Sequence, residues 1–530
     1  MKKLIFLLVV ALLAVTSVPA LASPNLYPAG DRYPMDTDIS VTWWLGEGYR
    51  PAQVYATAED SPFHANLQKM TGVEIKWRWV PHEAEQSQAF NLLLTEAKLP
   101  DIIFGGGSLM TDAARYLEEG VFLDLTPYLE EYAPAYWQWI HSNPAYDNAM
   151  KTDDGQYYGF GFFREAGGWN DSYNGPVIRQ DWLDECGLES PVTISDWTNV
   201  LTVFNEKYGA TFTTPWSRFK LSGAGMSGAF GAYGSSDLSF YIDGNGKVQL
   251  AQAQAEWLNY MLQLNEWWAA GLIDQDVLAN QTDTEAKAKA LSGSTGFAYT
   301  SMGQMSNWRV EAEQAGTGAN WVGLQYPHGD DGTLSMVFGG YGIGSVVAVI
   351  SGDCDEAKIP TILQLLDYAY TDEGNLFWNY GIQGETWDYD ENGEPMYLPI
   401  VTEDPDGLNN AIEKYGGSTW SGNCIQETKL LYLKNTSASI DANNLWYYPN
   451  QDIAAKWKMP PGITLTADES SESDFIRSSL STVVAESCAK FITGEMTAAN
   501  WENYVAQLES LGLNRLLEIN QAAYDRYLAR

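Results

Sequence analysis

The sequence predicts an α/β protein with more than one domain, and three observations support this. Strand-like and helix-like patterns alternate from residue 39 to residue 104. The same alternation returns between residues 175 and 208. Removal of a predicted 22-residue leader leaves 508 of the 530 residues, well beyond the roughly 250–300 at which a single hydrophobic core stops growing.

The first predicted elements alternate in type along the chain. Alternating apolar and polar residues predict strands over 39–44 and 73–79, and residues 101–104 form a third predicted strand that runs into glycines. Helical spacing predicts helices over 62–70 and 83–97 between these strands. Such a succession favours a largely parallel sheet, in which ligands gather at the carboxyl ends of the strands.

Predicted strands and helices also follow one another in the middle of the chain. Residues 175–179 are predicted as a strand, 180–186 as a helical turn, and 195–208 and 256–270 as helices. From Asp474 onward the pattern is mostly helical. Dipeptides typical of hairpin tips occur at Asp154-Gly155, Asp243-Gly244, Asp331-Gly332 and Asn392-Gly393.

The N-terminus has the features of a secretory leader. Lys2 and Lys3 precede an apolar run over 4–15 and the small-x-small pattern that ends at Ala22, so residues 1–22 are predicted to be a signal peptide cleaved after Ala22. A lipid-anchored product would need a cysteine at that point, but the first cysteine is Cys186. We expect a soluble periplasmic or extracellular protein.

The net charge and the spacing of the cysteines argue against several classes of function. The net charge of -38 argues against nucleic acid, whose phosphates require Lys and Arg, and against anionic lipid. The four cysteines are far apart and contain no C-x-x-C pair, which disfavours zinc and thiol-redox sites. Two disulfides in any of three connectivities are an alternative to buried free thiols, which we favour for a core of this size.

Several segments together resemble the extracellular solute-binding proteins of sugar importers, in particular the large branch related to the lipoprotein-like binding proteins of Gram-positive bacteria. Their order and spacing carry the resemblance, which spans nearly the whole mature chain. These segments are Thr71-Gly72-Val73-Glu74-Ile75, Leu99-Pro100-Asp101-Ile102-Ile103, Ile178-Arg179-Gln180-Asp181-Trp182-Leu183-Asp184, Gly271-Leu272-Ile273-Asp274, Tyr380-Gly381-Ile382-Gln383-Gly384-Glu385-Thr386-Trp387, Phe491-Ile492-Thr493-Gly494, and Leu511-Gly512-Leu513 before Ala523-Tyr524-Asp525-Arg526-Tyr527.

The resemblance implies a two-lobed periplasmic-binding-protein fold of type II. Each lobe would be a mixed sheet flanked by helices, with a hinge between the lobes and the ligand in the interlobe cleft. It places residues 36–165 and 294–338 in the N-terminal lobe, and 166–293 and 339–530 in a C-terminal lobe with a helical C-terminal region. It also implies a monomer that binds carbohydrate for the permease subunits of an ABC transporter, without cofactor or metal.

Aromatic side chains in polar or glycine-rich loops are the best candidates for contact with a sugar. The chain has 21 Trp, 31 Tyr and 18 Phe; sugars present flat C–H faces to such rings and hydroxyls to neighbouring polar groups. Strand alternation places Trp43 and Trp44 on opposite faces, and we favour Trp44 for the ligand. The predicted ligand-binding residues are Trp44, Glu47, Gly107, Trp169, Asn170, Trp216, Tyr233, Trp308, Tyr341, Glu385 and Trp420.

Two other functions compete with a sugar receptor. A secreted glycoside hydrolase would use similar aromatics with two carboxylates, but 68 acidic residues make any such pair uninformative, and the sequence has no Gly-x-Ser-x-Gly elbow. A peptide receptor on the same fold is the third possible function. Residues 388–393 begin like a calcium loop, but Pro399 stands where an EF-hand needs a bidentate Glu, so a hairpin is favoured. We therefore expect a binding protein and no enzyme.

Overall fold

The structure is a computed structural model. It describes residues 26–46, 54–80, 86–105, 113–164, 173–213, 226–233, 237–278, 283–333, 345–405, 408–417, 422–427, 430, 437–447, 457–460 and 462–530. The predicted signal peptide lies outside these residues. None of the helices within them has the length and hydropathy that crossing a membrane demands.

The described strands alternate with helices along the chain. The strands are β1 Ser40–Leu45, β2 Glu74–Trp79, β3 Ile102–Phe104, β4 Phe160–Arg164, β5 Asn174–Arg179, β6 Thr211–Thr213, β7 Phe240–Ile242, β8 Val248–Leu250, β9 Thr295–Ser301, β10 Trp321–Gly323, β11 Ser345–Ile350, β12 Trp387–Tyr389, β13 Pro395–Tyr397 and β14 Ile425–Gln426. The helices are Pro62–Thr71, Gln86–Leu93, Ala113–Glu118, Leu129–Tyr132, Pro134–Ile140, Pro144–Ala149, Gln180–Cys186, Ile194–Tyr208, Ala255–Ala269, Asp283–Ser292, Met302–Gln314, Ile359–Asp367, Asp372–Tyr380, Pro399–Thr402, Leu408–Tyr415, Ser437–Tyr447, Ala467–Thr493, Trp501–Ser510 and Leu513–Ala529.

The first lobe is built on a six-stranded sheet in the order β14-β4-β11-β3-β1-β2. β11 is antiparallel to both of its neighbours, whereas the other pairings are parallel. Helices cover both faces, so β1 is buried on both sides: Trp43 is 2% exposed and Trp44 is 4% exposed. The predicted α/β class and mixed sheet are confirmed in this lobe.

The second lobe has a four-stranded sheet in the order β10-β5-β9-β6. β6 is parallel to β9, while β5 is antiparallel to β9 and β10. Its core combines these strands with the helices Ile194–Tyr208, Ala255–Ala269 and Ala467–Thr493. The first of these helices begins at Thr193, which forms a capping box with Asp196; such a box satisfies otherwise unpaired N–H groups.

The division of the chain between the lobes differs from the sequence-based one. β9 lies between β5 and β6, so the segment 294–338 contributes to the second sheet. β11 and β14 flank β4, so the chain from 345 to 426 contributes to the first sheet. Each strand is short, and the sequence of a strand does not specify which sheet supplies its hydrogen-bond partner, because pairing is nonlocal.

The chain passes between the two sheets three times. It leaves the first sheet after Arg164 and enters the second at Asn174, returns between Thr333 and Ser345, and crosses again between Gln426 and Ser437. A fully extended chain spans at most about 3.3–3.6 Å per residue. Since Arg164 and Asn174 are only ten positions apart, they lie at most about 33–36 Å from one another.

Candidate functional site

The candidate site is the region between the two sheet edges that the crossings connect. On the first sheet β1, β2, β3, β4 and β14 all end at the same edge, because they are parallel, and antiparallel β11 begins there. On the second sheet the edge contains the start of β5 and the ends of β6, β9 and β10. Ligands of open α/β sheets collect at such carboxyl ends.

A buried guanidinium lies at the first edge. The Arg164 side chain, on a residue that is 3% exposed, donates from Nε to Oε1 of Gln426 at 3.0 Å, and its Cζ lies 5.2 Å from the ring centre of Phe162. Arg164 and Gln426 are register partners at the ends of the adjacent parallel strands β4 and β14. Nothing in the sequence indicated that Gln426 would be the partner of Arg164, because β14 joins the sheet across a long separation.

Two amide side chains hold β14 in place. Asn375 and Asn379, one turn apart on the helix Asp372–Tyr380, each donate from Nδ2 to the carbonyl of Ile425, at 2.8 and 2.9 Å. Oδ1 of Asn379 also accepts the backbone N–H of Glu427 at 3.1 Å. The short strand therefore depends on side chains from the first lobe, and so does the position of Gln426.

The second edge carries hydroxyl and amide groups. The hydroxyl of Tyr326 donates to the carbonyl of Asn174, and the hydroxyl of Ser301 caps the helix Met302–Gln314 by accepting the N–H of Gln304 at 3.2 Å. The ring of Tyr173 lies above this helix start, with its hydroxyl 2.8 Å from where a Cβ on Gly303 would be. Larger residues at position 303 would displace the tyrosine.

A tryptophan fixes the backbone at the same edge. Trp446, on the helix Ser437–Tyr447, is fully buried and lies so close to Gly175 that a Cβ there would be 2.2 Å from the indole. Its Nε1 donates to the carbonyl of Pro176 at 3.3 Å. The chain after the third crossing thereby determines where β5 begins.

Four predicted ligand-binding residues are described, and the structure does not bring them together. Trp44 packs in the first core with its ring centre 6.1 Å from that of Phe90. Trp308 is 2% exposed in the second core, 5.2 Å from Trp321. Contact of Trp44 or Trp308 with ligand stays a prediction, although both are enclosed by protein in this conformation.

The other two described candidates lie nearer to the surface. Tyr233 is partly buried, with its ring centre 4.2 Å from that of Tyr241 and 5.9 Å from that of Trp457, and burial raises its pKa. Glu385 is exposed in a turn closed by its own N–H to the carbonyl of Ile382 at 3.1 Å. The remaining candidates lie outside the described residues and stay predictions: Glu47, Gly107, Trp169, Asn170, Trp216, Tyr341 and Trp420.

Two buried titratable groups of the first lobe have shifted pKa values. His64 lies between Trp77 and Trp79 of β2, with ring centres 4.7 and 5.5 Å away, and burial lowers its pKa to about 3, so it is neutral at physiological pH. Burial raises the pKa of Asp367 to about 6, but this carboxylate is paired with Arg32 at 2.7 Å within the first lobe. The described residues contain no group of three or more His, Cys, Asp or Glu suited to a metal ion.

The fold has two sheet-based lobes joined by three crossings, and each lobe carries polar groups at the edge next to the crossings. This is the architecture of a two-lobed binding protein. The chain matches the family model of the bacterial extracellular solute-binding proteins over residues 45–376, and it belongs to that family. The predicted family resemblance is confirmed. Members of this family are binding proteins.

Individual relatives match most of the chain. The fructooligosaccharide ABC transporter substrate-binding protein FusA of Streptococcus pneumoniae is 23% identical over 495 residues, covering 87% of this chain and 86% of that protein. Lipoprotein LipO of Bacillus subtilis is 22% identical over 494 residues, covering 87% and 88%. Among solved structures, the alginate-binding protein AlgQ2 has a TM-score of 0.74 at 20% identity, covering 93% of this chain and 99% of its own. The predicted two-lobed type II fold is thereby confirmed.

Proposed function

We propose that this protein captures an oligosaccharide between its lobes and delivers it to an ABC importer. The observation that carries the proposal is similarity along nearly the whole chain to the fructooligosaccharide-binding protein of Streptococcus pneumoniae. A structure of similar fold, from Bifidobacterium longum infantis, is described as binding human milk oligosaccharides (TM-score 0.72, 18% identity, 93% of this chain, 99% of that chain). The amide and hydroxyl groups at the two edges suit sugar hydroxyls.

The mechanism is capture by closure. One lobe binds the sugar first, and rotation of the other lobe towards it completes the hydrogen bonds and excludes water. Arg164 and Gln426 would serve from the first edge, and Asn174 from the second. The ligand stabilises the closed state only by its higher affinity for that state.

Thermal unfolding in the presence of mono- and oligosaccharides tests the function. A bound sugar stabilises the native state by mass action, by about 2.7 kcal/mol at a hundredfold excess over Kd, so we expect the midpoint to rise by several degrees with at least one oligosaccharide and the sugar to be recovered intact. Shortened products in the supernatant would instead indicate a hydrolase. No shift with any sugar would favour a peptide receptor.

Alanine at Trp169 tests the predicted aromatic contact. If its ring stacks on the sugar, removal should weaken binding about tenfold to a hundredfold, because burial of a large apolar side chain contributes about 1.5–3 kcal/mol. Calorimetric titration with the sugar found above measures this. Tyr389, which is 48% exposed in the β12–β13 hairpin, supplies the control: alanine there should leave affinity unchanged, and equal losses in both variants would remove Trp169 from the site.

We infer that the protein acts outside the cytoplasm as a monomer without a lipid anchor. The leader pattern ending at Ala22 and the serine that follows it support export without a lipid anchor, and membership of an extracellular family supports the location. N-terminal sequencing of the exported protein should begin at Ser23. Its partners would be the permease subunits of the importer.

A further inference from the structure

The C-terminal helix of the second lobe ends against the first lobe. Arg526 and Arg530 are one helical turn apart and therefore share a face of the helix. Nε of Arg526 donates to Oδ2 of Asp153 at 2.6 Å, and Nη2 of Arg530 donates to Oδ1 of the same carboxylate at 2.6 Å. One carboxylate thus binds two guanidinium groups.

These partners belong to different lobes. Asp153 follows Ala149 and Met150, which are part of the first core. The helix Leu513–Ala529 packs on the second core through Leu513 and Leu516, and Oε1 of Gln521 accepts the N–H of Val248 at 2.8 Å. The contact therefore joins the lobes at a place separate from the three backbone crossings.

The segment before the long helix Ala467–Thr493 completes the cluster. Arg530 donates from Nη1 to the carbonyls of Asn148 at 2.6 Å and Gly462 at 2.8 Å, and from Nη2 to the hydroxyl of Thr464 at 2.8 Å. Arg526 donates from Nη1 to Oε1 of Glu469 at 2.9 Å. We call Asp153, Thr464, Glu469, Arg526 and Arg530 the interlobe ion cluster.

The charged groups at the centre of the cluster are largely buried, which favours a stable contact. The Arg530 side chain is 3% exposed and that of Asp153 is 17% exposed. Separating them would remove both bonds from Arg530 to Asp153 and the bond from Arg526 to the same carboxylate, and loss of one partner of a largely buried ion pair is strongly unfavourable. The main-chain carbonyls of Asn148 and Gly462 also fix the position of the Arg530 head group, which a loose surface ion pair would not achieve.

We propose that the interlobe ion cluster is a fixed pivot for lobe movement: it stays formed while the cleft opens and closes, so the rotation axis passes close to it. This inference depends on the two-lobed fold and not on the identity of the ligand. A latch that breaks on opening is the contrary possibility, and the two differ in what loss of the cluster does to the ligand-free protein.

The test is the interlobe distance distribution of ligand-free protein by pulsed electron paramagnetic resonance. Spin labels at exposed Glu118→Cys and Ala269→Cys report on the lobes, in a background where the part-exposed Cys186 and Cys354 are serine. For Asp153→Asn we expect a broader distribution around an unchanged mean. An unchanged distribution, or a shift of the mean to longer distances as for a released latch, would overturn the pivot.

The experiment includes a control variant outside the cluster and a second variant within it. Glu472→Gln removes the exposed Arg515–Glu472 pair, 2.8 Å long, which joins the same two helices but stays within the second lobe; its distribution should equal that of the parent. If Asp153→Asn does not fold, as judged by circular dichroism, Glu469→Gln weakens the Arg526 contacts, while its amide oxygen can still accept the N–H of Thr466; this variant should broaden the distribution to a smaller extent. No broadening in that folded variant would contradict the proposal.

Discussion

Asp101 belongs to a segment that resembles the family, and its role is structural. It directly precedes β3, at the sheet edge opposite to the candidate site. Its Oδ2 accepts the N–H of Thr42 at 2.8 Å and the ammonium of Lys358 at 2.9 Å. Burial alone would raise the pKa of Asp101, but these hydrogen bonds outweigh it and hold the pKa below 3.8. The residue thus joins β1, β3 and the start of the helix Ile359–Asp367.

Asp101→Asn should destabilise the protein by about 1–3 kcal/mol at neutral pH, because the variant leaves Lys358 without its carboxylate. Since the folded-state pKa is depressed, the stabilisation is complete above the unfolded pKa of 3.8 and disappears as pH falls through the folded value. The difference in unfolding free energy between variant and parent should therefore shrink below about pH 4. Denaturant titrations at several pH values measure it.

Glu96→Gln is the control for this prediction. Its pair with Arg78 is 2.6 Å long, but the two side chains are 38% and 40% exposed, and exposed pairs contribute only about 0–1 kcal/mol. A loss equal to that of Asp101→Asn would show that charge removal alone, and not burial of the acceptor, explains the effect.

Individual ligand contacts were harder to predict than structural residues. Both Trp44 and Trp308 follow the sequence rule of an aromatic near a polar or glycine-rich loop, yet both are enclosed by their cores. The loop rule does not distinguish an exposed ring from an enclosed one, because a neighbouring glycine can make room for the ring: a Cβ on Gly46 would be 2.1 Å from the indole of Trp44. A glycine beside a tryptophan therefore indicates close packing as readily as an open loop.

Among the elements, the helix Ser437–Tyr447 depends on glycines in the strands beneath it. A Cβ on Gly175 would be 2.2 Å from Trp446, and one on Gly323 would be 2.1 Å from Ala442. Gly175→Ala should therefore lower stability by about 1–3 kcal/mol and weaken sugar binding, because it displaces the start of β5. Thermal unfolding and titration measure the two effects.

Gly244→Ala provides the comparison for Gly175→Ala. Gly244 lies in the β7–β8 turn, and an added Cβ would be 3.5 Å from Trp457, an ordinary van der Waals distance. That variant should retain the stability and affinity of the parent. A Gly175→Ala protein that behaves the same way would show that the helix can move away from β5 without cost.

Local elements were predictable because their signals are local. The strand predicted over 73–79 is found as Glu74–Trp79, and the helix predicted over 195–208 is found as Ile194–Tyr208. The helix predicted over 83–97 is described only as Gln86–Leu93, since its last predicted turns are not helical. Sheet membership was not predictable: β9 and β11 are both buried along nearly their whole length, and only long-range pairing assigns them to different lobes.

For the whole molecule, the net charge of -38 should make stability depend on salt. Self-repulsion of like charges destabilises the compact state, and screening shortens its range from about 30 Å at 0.01 M to about 8 Å at 0.15 M. Raising sodium chloride across that interval should raise the midpoint of thermal unfolding. A midpoint that falls with salt would mean that ion pairs such as those of the interlobe ion cluster outweigh the repulsion.

The three crossings also govern how the chain folds. Ile103 of β3 pairs with Val349 of β11, so the first sheet has a gap between β3 and β4 until the intervening second-lobe segment has been synthesised. Pairings over such sequence separations make folding slow, because loop closure must precede the contacts that compensate for it. For the export proposed above, slow folding would be an advantage: a chain that is still extended can be threaded through a secretion channel and become compact on the far side.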